Sequence, residues 1–84
     1  MNYTIQFSDT VDWKKFNRLP KNDRENILKI IREKLGSEPE RFGKPLRFSL
    51  RGYRRIRIGE YRILYKIEGQ NVKITAIGLR SKIY

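Results

Sequence analysis

Arg55, Arg57, Arg62, Arg80 and Tyr84 are the residues of this 84-residue chain whose types and spacing could do chemistry. Gly59-Glu60 suits a two-residue type II′ turn, which wants glycine first. With that turn, Ile58 faces Tyr61 and Ile56 faces Ile63 on an apolar side. Arg57 then faces Arg62 on the other side, with Arg55 two residues away. Directly opposed like charges destabilise a sheet, so an anion is the natural occupant of such a groove. Arginine can grip a phosphate with two parallel hydrogen bonds. The plainer reading is that the long stems cover the sheet while the charged heads spread into water.

Arg80 follows Gly78, and strict alternation would set it on the apolar side. A bulge at or after Gly78 would turn it to the cationic side, because one extra residue re-aims the side chains beyond it. Tyr84 is either a packing aromatic or a phenol that stacks on a base or moves a proton. Neighbouring positive charge lowers a phenol's pKa and makes it a better base.

The chain has neither histidine nor cysteine. The commonest general base, the commonest zinc ligand, thiolate sites and disulfides are therefore excluded. No cofactor and no metal is implied. The formal net charge is +11. Residues 1–43 carry 9 basic and 7 acidic side chains, whereas residues 44–84 carry 11 and 2. A field this one-sided attracts polyanions. The basic half alternates like sheet rather than amphipathic helix, which favours RNA or DNA over membrane. No secretory signal and no membrane-length apolar run is present, so the expected location is the cytoplasm.

The elements that must position these residues follow from periodicity. Tyr3, Ile5 and Phe7 alternate as a first strand. Ser8 or Asp9 is expected to cap a helix over roughly 10–18, with Trp13 in the core. Asn22 and Glu25 resemble a capping box for a helix over 23–35, where Ile27, Leu28, Ile31 and Leu35 share one face. Gly36 fits the position that ends it, and residues 36–45 read as an ordered loop. Leu46, Phe48 and Leu50 then alternate. Ile56 and Ile58 end a strand, Tyr61 to Ile67 form another, and Val72 to Ala76 a third. Gly69-Gln70 as a second two-residue turn would set Ile67 against Val72, Tyr65 against Ile74, and Ile63 against Ala76. The expected class is α+β, ordered β-α-α-β-β-β. Two N-terminal helices pack on one face of an antiparallel sheet, and residues 1–84 form a single domain.

The stretch Tyr53-Arg54-Arg55-Ile56-Arg57-Ile58-Gly59-Glu60-Tyr61-Arg62-Ile63-Leu64-Tyr65, with Gly78-Leu79-Arg80 and Ile83-Tyr84, resembles the RelE/ParE toxins of type II toxin–antitoxin systems. The resemblance spans essentially the whole chain and implies the RelE-like microbial ribonuclease fold. In the RelE branch it implies a ribosome-dependent mRNA interferase that cuts in the ribosomal A site. Many relatives carry lysines where this chain has Arg55 and Arg57, which weakens proton transfer by those two, since arginine is effectively never deprotonated. The roles implied are Tyr84 as base, Arg62 and Arg55 as charge stabilisers, and Arg57 and Arg80 as backbone clamps. A RelB-like antitoxin, acidic or amphipathic, is the implied partner beside the ribosome and mRNA. DNA is reached only through that antitoxin. Two rivals remain: a ParE-like inhibitor of DNA gyrase without chemistry, and a module that binds RNA without cutting it.

Overall fold

The computed structural model describes residues 3–79. A five-stranded sheet carries its helices on one face. The strands are β1 (Thr4–Phe7), β2 (Lys44–Pro45), β3 (Arg54–Ile58), β4 (Tyr61–Glu68) and β5 (Asn71–Leu79), in the spatial order β1-β5-β4-β3-β2. Strands β3, β4 and β5 pair antiparallel with one another, as expected, and β2 pairs antiparallel with β3, while β1 runs parallel to β5. No hairpin ties β1 to β5, so a turn does not dictate their relative direction. The parallel register brings Ile5 beside Val72 and Phe7 beside Ile74.

Three helices lie between β1 and β2: α1 (Trp13–Asn17), α2 (Lys21–Ile30) and α3 (Pro39–Phe42). Asp12, rather than Ser8 or Asp9, caps α1 by accepting from the Lys15 N–H at 3.1 Å. Ser8 is engaged elsewhere, because its hydroxyl accepts from the Thr10 N–H and donates to the Thr10 hydroxyl. Helix α2 starts at Lys21 behind Pro20 with no side-chain cap, so Asn22 and Glu25 sit inside the helix instead of forming a capping box. The helix widens into a π-helical turn at Ile31–Leu35, where the Gly36 N–H donates to Ile31 O at 3.1 Å. That turn keeps Ile31 and Leu35 both buried. Gly36 ends this turn, as expected, in a right-handed conformation with φ −74°. The stretch read as a loop holds α3 and β2. Pro39 starts α3, where its missing N–H costs nothing.

The core is the helix-facing side of the sheet against the helices: Ile56, Ile58, Ile63, Tyr65, Val72, Ile74 and Ile77 meet Val11, Phe16, Ile27, Ile31 and Leu35. Trp13, expected in the core, is 40% exposed. Its ring leans on Phe7 at 5.2 Å and on Phe16 at 5.4 Å between centroids. The Leu46, Phe48, Leu50 alternation forms no strand. Phe48–Leu50 is a 3₁₀ turn at the tip of the β2–β3 hairpin.

Two tyrosines pin helices to the sheet. The Tyr61 hydroxyl donates to Asp23 Oδ2 of α2 at 2.7 Å, and the Tyr65 hydroxyl donates to Pro39 O at 2.6 Å. Arg54 faces the helices too, donating to Glu40 O at 2.7 Å and to Gly43 O at 2.9 Å. A Cβ at Gly43 would collide with the Tyr65 hydroxyl, so that glycine lets chain and ring approach.

Candidate RNA-binding face of the sheet

Side chains alternate across a strand, so the register that buries one face assigns the other. Gly59 and Gly69 have positive φ, 59° and 62°, while Glu60 and Gln70 do not, which fits turns wanting glycine first. The first hairpin pairs Ile58 with Tyr61, Ile56 with Ile63, Arg57 with Arg62, and Arg55 with Leu64. The Cβ atoms of opposed residues stand about 5 Å apart, and residues two apart on a strand about 6–7 Å. Three arginines thus share one small area of the face opposite the helices. Arg57 is exposed, and Arg55 and Arg62 are half-buried.

The second hairpin holds the expected register only as far as Tyr65 against Ile74. Beyond it Leu64 pairs with Ala76 and Ile63 with Ile77, so Ala76 does not face Ile63. Thr75 is the extra residue. Its hydroxyl donates to Leu64 O at 3.2 Å, and its carbonyl accepts from Thr10. The bulge therefore comes earlier than at Gly78. It restores Ile77 to the core and sets Gly78 beside Arg62. Without it, strict alternation would have exposed Ile77, which is 7% accessible. Arg80 and Tyr84, which complete the expected constellation, lie outside the described residues.

The same parity adds residues that the sequence reading did not single out. Lys44 pairs with Arg55, and Lys66 with Lys73. With the three arginines they make six cations on this face among the described residues. Glu68 is the acid beside them, and it pairs with Lys66 at 3.1 Å. That contact raises the Lys66 pKa. Tyr53 precedes Arg55 by two residues, and Lys66 Nζ sits 5.4 Å from its ring centroid. Alternation alone would have found Lys66, Lys73 and Tyr53. Lys44 needed β2, which has no periodic signal. Leu64, at the centre of this face, is only 6% exposed.

The tyrosines of the Gly-x-Tyr-Arg-x-x-Tyr run stand on the helix side. The Tyr61 pKa is raised first by its hydrogen bond to Asp23 and then by burial. Burial raises the Tyr65 pKa, outweighing the opposing effect of Arg54. Both therefore stay protonated and serve as struts. A cavity of about 400 Å³ opens between α1 and the end of β5, lined by Asp12, Lys15, Phe16, Leu19, Ile77 and Leu79. It is set against α1, away from the Arg55, Arg57 and Arg62 group. Among the described residues, no three Asp, Glu, His or Cys side chains gather as a metal-binding group. No helix among them is long and apolar enough to cross a membrane.

A family model of the ParE toxin of type II toxin–antitoxin systems matches residues 7–84. The chain is 35% identical to toxin RelG of Mycobacterium tuberculosis over 86 aligned positions, covering 100% of this chain and 98% of that one. It is 36% identical to toxin RelE of the same organism over 69 positions, covering 80% and 71%. The crystal structure of the RelBE2 toxin–antitoxin complex from M. tuberculosis superposes with a TM-score of 0.85 at 33% identity, covering 95% of this chain and 100% of that one. The isolated RelE toxin of Escherichia coli shares the fold, with a TM-score of 0.69 at 22% identity over 92% of this chain and 83% of that one. The chain thus belongs to the RelE/ParE superfamily of toxins of type II toxin–antitoxin systems.

Proposed function

We propose that this toxin is a ribosome-dependent mRNA endoribonuclease of the cytoplasm, held inactive by a cognate RelB-like antitoxin. The observation that carries this reading is the Arg57–Arg62 pair, with Arg55 beside it, on the sheet face opposite the helices. A folded chain tolerates such repulsion where a phosphate offsets it. Similarity to RelG and RelE supports the nuclease branch, and the RelBE2 likeness supports the antitoxin.

In the proposed reaction the ribose 2′-oxygen attacks the adjacent phosphorus and loses its proton to Tyr84. The P–O5′ bond breaks, leaving a 2′,3′-cyclic phosphate and a 5′-hydroxyl. Arg62 and Arg55 stabilise charge as it develops on the phosphoryl oxygens, the role that preorganised donors fill best. Arg57 and Arg80 clamp the backbone. The leaving O5′ takes its proton from solvent water, since the chain has no histidine to give it. General acid or base help is typically worth about 10²–10⁴ in rate. Substrate held in line can supply several kcal/mol instead, which is the reason to invoke the ribosome.

The test is cleavage of an mRNA programmed on ribosomes, beside the same mRNA free, with EDTA controls on the free RNA. Cutting should occur on the ribosome and collapse in Arg62→Ala, Arg80→Ala and Tyr84→Phe. The ParE family model keeps gyrase inhibition as the competing reading. Well-folded wild type that leaves ribosome-bound mRNA intact and blocks DNA supercoiling would establish it.

A further inference from the structure

The β2–β3 hairpin ends in a tip, residues 46–53, that the catalytic proposal does not use. Phe48 at this tip is 90% exposed and holds a left-handed backbone, φ 58°. Both features oppose folding: an apolar ring left in water gains nothing from the core, and a non-glycine residue in that region is strained. The tip does not need the ring for its shape. Its backbone closes on itself through Leu46 N–H to Tyr53 O, Leu50 N–H to Arg47 O, Arg51 N–H to Phe48 O, and Tyr53 N–H to Leu50 O, all 3.0–3.1 Å. Leu46 and Leu50 turn partly inward, while Arg47, Phe48 and Arg51 stand exposed.

We infer that this tip is a stacking site for a base of unpaired RNA, with the Phe48 ring as platform and Arg47 and Arg51 gripping the flanking phosphates. The inference rests on the proposed RNA substrate and extends its path. From Arg57 and Arg55 the strand would run along β3 past Tyr53 to the tip. The charge favours a polyanion, since no acidic residue lies between Glu40 and Glu60. The lone ring favours a nucleobase over a protein. A docked helix wants several apolar anchors in a groove, whereas one exposed ring with an exposed arginine before and after it in the tip offers a base one stacking face and its phosphates two cations. Such stacking tolerates any base, so the tip would add grip without sequence choice.

The test uses a short single-stranded RNA with 2′-methoxy groups, which block attack on phosphorus, followed by fluorescence anisotropy across a salt series at low ionic strength. Phe48→Gly should weaken binding about five- to tenfold, as loss of one stacked base does, with the salt slope unchanged. Its melting temperature should stay level or rise, because glycine relieves the strained φ. Phe48→Trp should restore affinity. Arg51→Gln should weaken binding and make the slope shallower by about 0.7, as for one phosphate contact on a single strand. A duplex of the same sequence should show no dependence on Phe48. Equal affinity of Phe48→Gly and wild type would overturn the inference, as would weakening matched by a lower melting temperature. So would an effect of Phe48→Gly seen on antitoxin binding alone. If wild type cuts ribosome-bound mRNA while the tip variants bind normally, only the tip assignment fails. If wild type neither cuts nor binds, the nuclease reading fails with it.

Discussion

The hydroxyl of Thr10 donates to the carbonyl of Thr75 at 2.6 Å, so the loop before α1 holds the one residue that β5 carries in excess over β4. The bulge at Thr75 decides which face every later side chain of β5 takes. Deleting Thr75 would close the ladder without the bulge, with Ala76 still opposite Leu64 and Ile77 still opposite Ile63 in the core. The loss is then the hydrogen bonds of Thr75 to Leu64 O and from Thr10, each worth about 1 kcal/mol net. Urea denaturation should show about 2 kcal/mol for the deletion and about 1 kcal/mol for Thr10→Val, the net worth of one hydrogen bond.

The contact of Gly43 with Tyr65 predicts a coupled pair. Gly43→Ala forces a methyl into the Tyr65 hydroxyl, which Pro39 O holds in place. Overpacking of this kind costs about 1–3 kcal/mol. Tyr65→Phe removes the obstructing oxygen, so the double variant should be more stable than the sum of the two single losses predicts. Chemical denaturation of all four proteins checks this, and strict additivity would contradict the contact.

Alkaline pH should unfold the protein through its tyrosine struts. The fold favours the neutral phenols of Tyr61 and Tyr65 and raises both above the ordinary 10.0. The stability they contribute is complete below about pH 10 and is lost as pH rises through the folded values. Tyr61→Phe should lower stability at neutral pH by about 1 kcal/mol through the lost Asp23 bond. It should also flatten the fall above pH 10. Thermal melts across the alkaline range give both results.

The opposed arginines predict a trade between stability and activity. Replacing exposed Arg57 with threonine removes a like-charge pair worth roughly 0.2–1 kcal/mol of repulsion. Arg57→Thr should therefore be slightly more stable at low salt, with the gain shrinking as salt screens the pair. Its cutting of ribosome-bound mRNA should fall. Added stability with undiminished cutting would remove Arg57 from the clamp.

Wherever a strict period met a two-residue turn, the sequence could be read directly. Gly59-Glu60 gave the whole β3–β4 register, and with it the Arg57–Arg62 pair, because both faces of that hairpin alternate without interruption. The second hairpin was readable only to Ile74, since Thr75 looks like any strand residue. Its extra place depends on Thr10, 65 positions away in sequence. Phe48 joined a false alternation with Leu46 and Leu50, where the backbone instead turns through positive φ. The helix starts slipped for a local reason: Ser8 and Asn22 can each cap a helix, but Ser8 is already bonded to Thr10 and Asn22 lies within α2. Trp13 looked like core by residue type, and nothing in its spacing revealed that Phe7 would share its exposure.

Strand β5 lies between β1 and β4, and it is the last of the described strands to be synthesised. Thr4 waits for Asn71 and Phe7 for Ile74 before β1 has a neighbour in the sheet. Long-range pairing of this kind closes late and slowly. A nascent chain on its own ribosome holds β3 and β4 with their arginines, but not the strand that joins them to β1. The β3–β4 hairpin can thus set its arginines side by side before the sheet that backs them is complete, and the sheet closes only once β5 has been made.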